Sequence, residues 1–344
     1  MSIAICLLVY GFTVAVLAPP LLRRLATSRA GPRTVLGAWV AVLGSVTAAW
    51  VFAPVILVAD VLIHLAHPER ASLVGACLEQ LRDVVTGRYG YLAEAGLLVL
   101  ATSAALASAV AVTRLGRILV RARSTTHEHA RMVRIAGRHS PELDAVVLAV
   151  GAPAAYSVAG KHGTVVVTEG VIAALRTDQL AAVLAHERAH LDGRHHLLLA
   201  ATRGLTSVFP RVRLFATGAA EVALLLETIA DDAAARLHGP DAVLRALVTL
   251  SELTAGTTGG LGATGLGLPA RADRLAAGAR TAPKSRIRVR PTTTAMTIGP
   301  AAATLIAAVG IATCASEQVL PAQPLRPSAG ARTSQSHPVP TLPR

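Results

Sequence analysis

Residues 177–192 read Thr-Asp-Gln-Leu-Ala-Ala-Val-Leu-Ala-His-Glu-Arg-Ala-His-Leu-Asp, and the placement of this stretch decides the architecture. Leu180, Val183, Leu184 and Leu191 form an apolar stripe at helical spacing, Thr177 offers a hydroxyl as N-cap, and Asp178 puts a carboxylate in the first turn, so a helix is predicted. Arg176, Asp178, Arg188 and Asp192 flank it and would be costly inside hydrocarbon. The helix therefore belongs in water or at a membrane surface.

The chain around it is of the opposite character. Of 344 residues, 53% are hydrophobic and only 15% charged, with a mean hydropathy of +0.53, which excludes an ordinary soluble protein. Three widely spaced cysteines, Cys6, Cys77 and Cys314, exclude a disulfide scaffold and a cysteine-based zinc module. Four runs without charge are long enough to span a bilayer: 1–22, 34–59 with Pro54 inside, 95–113 and 291–316. The first lacks a basic leader and a small-residue cleavage site, so it reads as a retained span rather than a signal peptide. With no charge inside any run, no ion or substrate pathway through the bundle is expected.

The net charge of +13 arises from 33 Lys+Arg against 20 Asp+Glu, and every basic residue except Lys161 and Lys284 is arginine. Arg23, Arg24, Arg29 and Arg33 follow the first run, Arg114 to Arg138 includes seven arginines after the third, and Arg280 to Arg290 precede the fourth. The loop between runs two and three balances Arg70, Arg82 and Arg88 against Glu69, Glu79 and Asp83. Basic flanks mark the cytoplasmic side, so both termini are expected outside the cytoplasm and residues 114–290 inside it. No aromatics interleave these arginines, so they read as topology signals and lipid contacts, with no direct nucleic-acid binding expected. Residues 317–344, rich in Pro, Ser and Gln, read as a disordered extracytoplasmic tail.

Within 114–290, the segment from Arg114 to Arg138 continues the third span as a juxtamembrane helix. Three short runs rich in β-branched residues follow, at 145–150, 154–158 and 164–168, separated by turn residues, and predict a small antiparallel sheet with a hairpin. Residues 197–226 are apolar but interrupted by Arg203, Pro210, Arg211, Arg213 and Glu221, and predict two helices leaning on the membrane or the sheet.

His186 and His190, four apart on the opening helix, lie about 40° apart in rotation and can reach one tetrahedral metal. Glu187 borders the same face, able to act on an attacking water without being a ligand. Chance would produce this HExxH spacing in roughly one such chain in a hundred. Glu227 and Asp231, again four apart, supply a third ligand and a carboxylate to accept an imidazole N–H. His195 and His196 read as shaping the end of the helix, and His127 and His129 as a solvated face. Leu191-Asp192-Gly193 resembles a motif of site-2 proteases, but there it lies on a different span from HExxH, so here it reads as coincidence.

Val165-Val166-Val167-Thr168-Glu169-Gly170, the run Leu180 to His190, and Glu227 with Ala230-Asp231 together resemble the BlaR/MecR-type membrane metallopeptidases, relatives of the HtpX-type and CAAX-prenyl proteases. The resemblance implies an α-helical integral membrane protein of four transmembrane helices with an α+β, gluzincin-like peptidase domain in its cytoplasmic loop. It implies one Zn2+ per chain on His186, His190 and Glu227, Glu187 as general base and then acid, and Asp231 behind the ligands. The strand at 164–168, with Val165, Val166 and Val167, is the expected edge for pairing with an extended substrate. The implied activity is a zinc endopeptidase acting on a protein substrate, such as a cytoplasmic transcriptional repressor, in transmembrane signalling. Quality control of misfolded membrane proteins and a non-catalytic sensor or scaffold are the alternatives. Two departures stand out. The chain ends 28 residues after its fourth run, so no penicillin-binding sensor is expected, and 268–275 has no histidine to stabilise an oxyanion; Arg271 or, outside that stretch, His238 could substitute, but each reads as a surface or packing residue.

Overall fold

The computed structural model describes residues 3–26, 31–66, 90–160, 163–255 and 267–281. The expected fourth span at 291–316, the tail at 317–344, the basic run at 284–290 and the charged loop at 69–88 lie outside these residues. The fold is mostly helical. Helices α1 (Ile3–Ala26), α2 (Pro32–Ala66) and α3 (Gly90–Ala136) come first, and within them Ile3–Arg24, Pro32–Ala59 and Leu98–Ala136 are long and apolar enough to cross a membrane. α3 is 47 residues, about 70 Å of helix, and joins the third apolar run to the arginine-rich segment without a break, as its periodicity predicts.

A four-stranded sheet follows, built from β1 (Arg138–Ser140), β2 (Ala145–Leu148), β3 (Ala155–Val158) and β4 (Thr164–Thr168) in the order β1-β2-β4-β3. The three predicted runs are strands, but the sheet is mixed: β3 and β4 form the antiparallel hairpin, whereas β2 and β4 are parallel, with Val146 opposite Val166. β4 is thus an inner strand. The expectation that Val165, Val166 and Val167 form an open edge is corrected, because both sides of β4 are already paired and these side chains are at most 3% exposed. A continuous valine run signals a strand covered on both faces rather than an edge. Among the described residues, the outer strand on that side is β3.

After the short α4 (Glu169–Ala174) come α5 (Thr177–Asp192), α6 (His195–Val208), α7 (Arg213–His238), α8 (Pro240–Ala255) and α9 (Leu268–Thr281). Thr177 is inside α5 rather than its cap; the cap is Arg176, whose backbone N–H donates to Gln179 Oε1 at 2.9 Å. α6 and α7 are the two helices expected in 197–226, and they lean on the apolar helices. Leu205, Leu214, Phe215, Val222 and Leu226 share one core with Leu22 of α1 and Trp39, Leu43 and Val46 of α2. Trp50 of α2 meets Phe209 and Phe215 edge-on, at centroid distances of 5.7 and 6.0 Å. Farther along α7, Glu221 pairs with Arg23 at 3.0 Å, at the end of the first apolar run. The charge that interrupts α7 is therefore level with the basic flank of α1, while the aromatic turn reaches deeper along α2.

Gly218 permits this approach: a Cβ there would lie 2.9 Å from a Leu43 methyl and 3.3 Å from the Trp39 ring. Gly218→Val is expected to lower stability by about 1–3 kcal/mol through overpacking. Gly44→Val, where a Cβ would meet nothing within 4 Å, should be close to neutral, and thermal melts of the purified protein compare the two.

Candidate metal centre

α5 and α7 pack side by side because small residues line their contact: Ala182 and Ala185 on α5 and Ala234 on α7, closed by Leu247 of α8 and Leu275 of α9. This places His186 and His190 on α5 opposite Glu227 and Asp231 on α7. The two Nε2 atoms are 3.1 Å apart, and each is 3.5 Å from a Glu227 oxygen. For zinc bonds of about 2.0–2.1 Å, tetrahedral donors sit about 3.3 Å apart, close to these spacings, although the two imidazoles approach different Glu227 oxygens. Among the described residues, His186, His190 and Glu227 form a group that could hold a metal ion.

The remaining ring nitrogens face protein partners. His186 Nδ1 lies 3.1 Å from Asp231 Oδ1, the contact expected for a carboxylate behind a ligand. His190 Nδ1 lies 2.8 Å from Nδ1 of His195, which is only 5% exposed. For His190 to present Nε2 to a metal its Nδ1 must hold the proton, so His195 accepts it. His195 shapes the end of α5, as the sequence reading has it, and also touches a ligand, which its place just past Gly193 did not reveal.

The reading of Arg271 as a surface or packing residue is corrected. It is 4% exposed, its Nε and Nη2 donate to both Asp231 oxygens at 2.7 and 2.8 Å, and Nη1 is 3.1 Å from Glu227 Oε2. Nε and Nη2 are committed to Asp231, whereas Nη1 is held beside Glu227 without a hydrogen bond. His238 is exposed, as expected. Glu187 hydrogen-bonds to the side chain and backbone of Ser157 on β3, so the catalytic candidate stands beside the outer strand of the sheet.

With neutral imidazoles, Glu187, Glu227, Asp231 and Arg271 leave two negative charges in excess, which a divalent cation neutralises. Without a metal, protons respond to this field. Burial acts to depress the His186 imidazole, but the hydrogen bonds to Asp231 and Glu227 win and push it up to about 9. Burial, reinforced by the neighbouring His186 cation, drives His190 down to about 4. Burial pushes the Glu187 carboxyl up, against the pull of His186.

Residues 120–341 match Peptidase family M48, which covers more than half of the chain. No curated protein and no solved structure matches it. A half-buried His-His-Glu group that could hold a metal ion accords with that match, and the chain belongs to peptidase family M48.

Three outcomes follow from the charge balance. Zinc must displace the His186 proton, so titration of zinc into metal-free protein at pH 7, in buffers of different ionisation enthalpy, should report about one proton released per zinc. In the metal-free protein the raised His186 stabilises fully below its ordinary value of 6.5, and that contribution is lost as pH rises through about 9. Arg271→Ala, which strands Asp231 without its countercharge, should cost about 3–5 kcal/mol in thermal or denaturant unfolding, with Arg271→Lys recovering part.

Proposed function

We propose that this chain is a membrane-bound zinc endopeptidase, with a gluzincin-like α+β peptidase unit, acting on a polypeptide at the membrane surface. The observation that carries this reading is Glu187, half-buried beside His186, His190 and Glu227 and in contact with Ser157 on the outer strand β3. Zinc, when bound by those three residues, would polarise the scissile carbonyl and acidify the attacking water. Glu187 takes the proton from that water and returns it to the leaving amine, and its upward shift favours the return. Asp231 and His195 hold His186 and His190 in the tautomers that present Nε2. The substrate lies extended along β3, in place of the β4 strand, because β3 is the outer strand on that side of the sheet and carries Ser157 against Glu187.

The proposed substrate is a cytoplasmic transcriptional repressor cleaved in transmembrane signalling, on the resemblance to BlaR/MecR-type peptidases. The arginines that follow the first and third apolar runs support a cytoplasmic peptidase portion and a first terminus outside. Clearance of misfolded membrane proteins uses the same chemistry, and mass spectrometry of the products separates the two. A non-catalytic scaffold would have no use for Glu187. Glu187→Gln is expected to abolish proteolysis while zinc content, measured by atomic absorption, stays at one per chain; wild-type cleavage rates in this variant would overturn the mechanism.

A further inference from the structure

A second concavity, of about 1300 Å³, lies on the far side of α5 from the metal centre, bounded by the juxtamembrane half of α3, the sheet and the α5–α6 junction. None of His186, Glu187, His190 and Glu227 lines it. On α5 it is Arg188, Leu191 and Asp192 that face it, roughly 140–240° round the helix from His186. Four arginines, Arg123, Arg134, Arg188 and Arg194, stand in its wall against Asp144 and Asp192. Arg188 is partly satisfied within the protein, 3.7 Å from Asp144 and donating to the Leu143 carbonyl. Arg123 and Arg134 are exposed and have no acidic partner among the described residues. Leu119 and Leu197 give the same wall an apolar component.

Two features define the occupant. The first is depth. Leu119 is six residues past Thr113, the end of the charge-free run, and Arg134 is twenty-one, which is about 9 and 31 Å along the helix. A lipid headgroup layer is only about 5–7 Å thick, so the cationic wall stands mostly beyond it. The second is continuity. Ala159 and Gly160 line the concavity and directly follow β3, whose Ser157 touches Glu187. A chain extended along β3 past Ser157 reaches this mouth within two or three residues, about 7–10 Å.

We propose that this cleft is an exosite for an acidic, extended segment of the protein substrate, to one side of the scissile bond. It rests on the endopeptidase reading and adds a substrate class to it: polypeptides with carboxylates flanking the cleaved bond. The arginines draw the segment in and set its register, while β3 presents the bond to Glu187.

The test uses the full chain in zwitterionic nanodiscs. Glu187→Gln protein is titrated with a fluorescently labelled peptide alternating Glu and Ala, and with its Gln counterpart. The acidic peptide should bind about ten-fold tighter, more weakly as salt is added, and lose that advantage in Arg123→Gln/Arg134→Gln protein. Both substitutions are on α3, away from the metal centre, so zinc content should be unchanged and serves as the folding control. In active protein the same double variant should lose selectivity, in kcat/KM, for acidic over neutral flanks while cleaving neutral peptides at the wild-type rate. Equal binding of the two peptides, or full retention of selectivity in the double variant, overturns the exosite. So does an effect of the double variant confined to nanodiscs containing phosphatidylglycerol, which would make the cleft a lipid site. Failure of the endopeptidase reading looks different: no peptide is cleaved by the wild type, whatever binds.

Discussion

Gathering three carboxylates and one guanidinium around two histidines, with Asp231 and Arg271 fully buried, is the constraint on which the rest of this structure depends. Asp231 and Arg271 are each at most 4% exposed, and a charge so placed is tolerated only with a well-aligned partner. The two-pronged contact of Arg271 on Asp231 meets that condition, and it draws α9 onto α7. Asp231 then has a lone pair for His186, so one ion pair fixes the position of a carboxylate and, through it, the orientation of an imidazole. The two negative charges left over make the centre incomplete without a dication. Metal affinity and the electrostatics of the core are in this sense the same property.

α7 connects this centre to the apolar helices. Its first half contributes Leu214, Phe215 and Val222 to the core shared with α1 and α2, and its second half holds Glu227 and Asp231. A continuous helix is stiff, so the position of Glu227 is referred directly to the apolar bundle. The Glu221–Arg23 pair marks where one environment gives way to the other. The small residues at the α5–α7 contact, Ala182, Ala185 and Ala234, let two backbones approach closely enough for donors on both to share one ion.

Much of the site was legible because it is local. His186 with His190, and Glu227 with Asp231, are four apart, and helical geometry alone puts each pair on one face. The apolar runs were legible for a similar reason, since the absence of charge over about twenty residues needs no knowledge of neighbours. The strands at 145–148, 155–158 and 164–168 could be seen from their β-branched residues and turns, but their order could not. Alternation and composition describe a strand's two faces, whereas its edges depend on which strands lie beside it. That is why Val165, Val166 and Val167 looked like an edge and are the middle of the sheet. Arg271 was hidden for a different reason: forty residues separate it from Asp231, and an arginine in a polar helix reads as solvated until another helix covers it.

Taken alone, the sequence determined the residues available to hold a metal, the helices able to enter a bilayer, and the presence of a small sheet before the HExxH helix. All three follow from periodicity within a single element. Only the tertiary structure decided that β3 rather than β4 is an outer strand of the sheet, that Arg271 and His195 touch the histidine and carboxylate group, and that the α6–α7 pair rests on the apolar helices. Each of these is a contact between segments distant in the chain, set by which faces can be buried together rather than by any local preference.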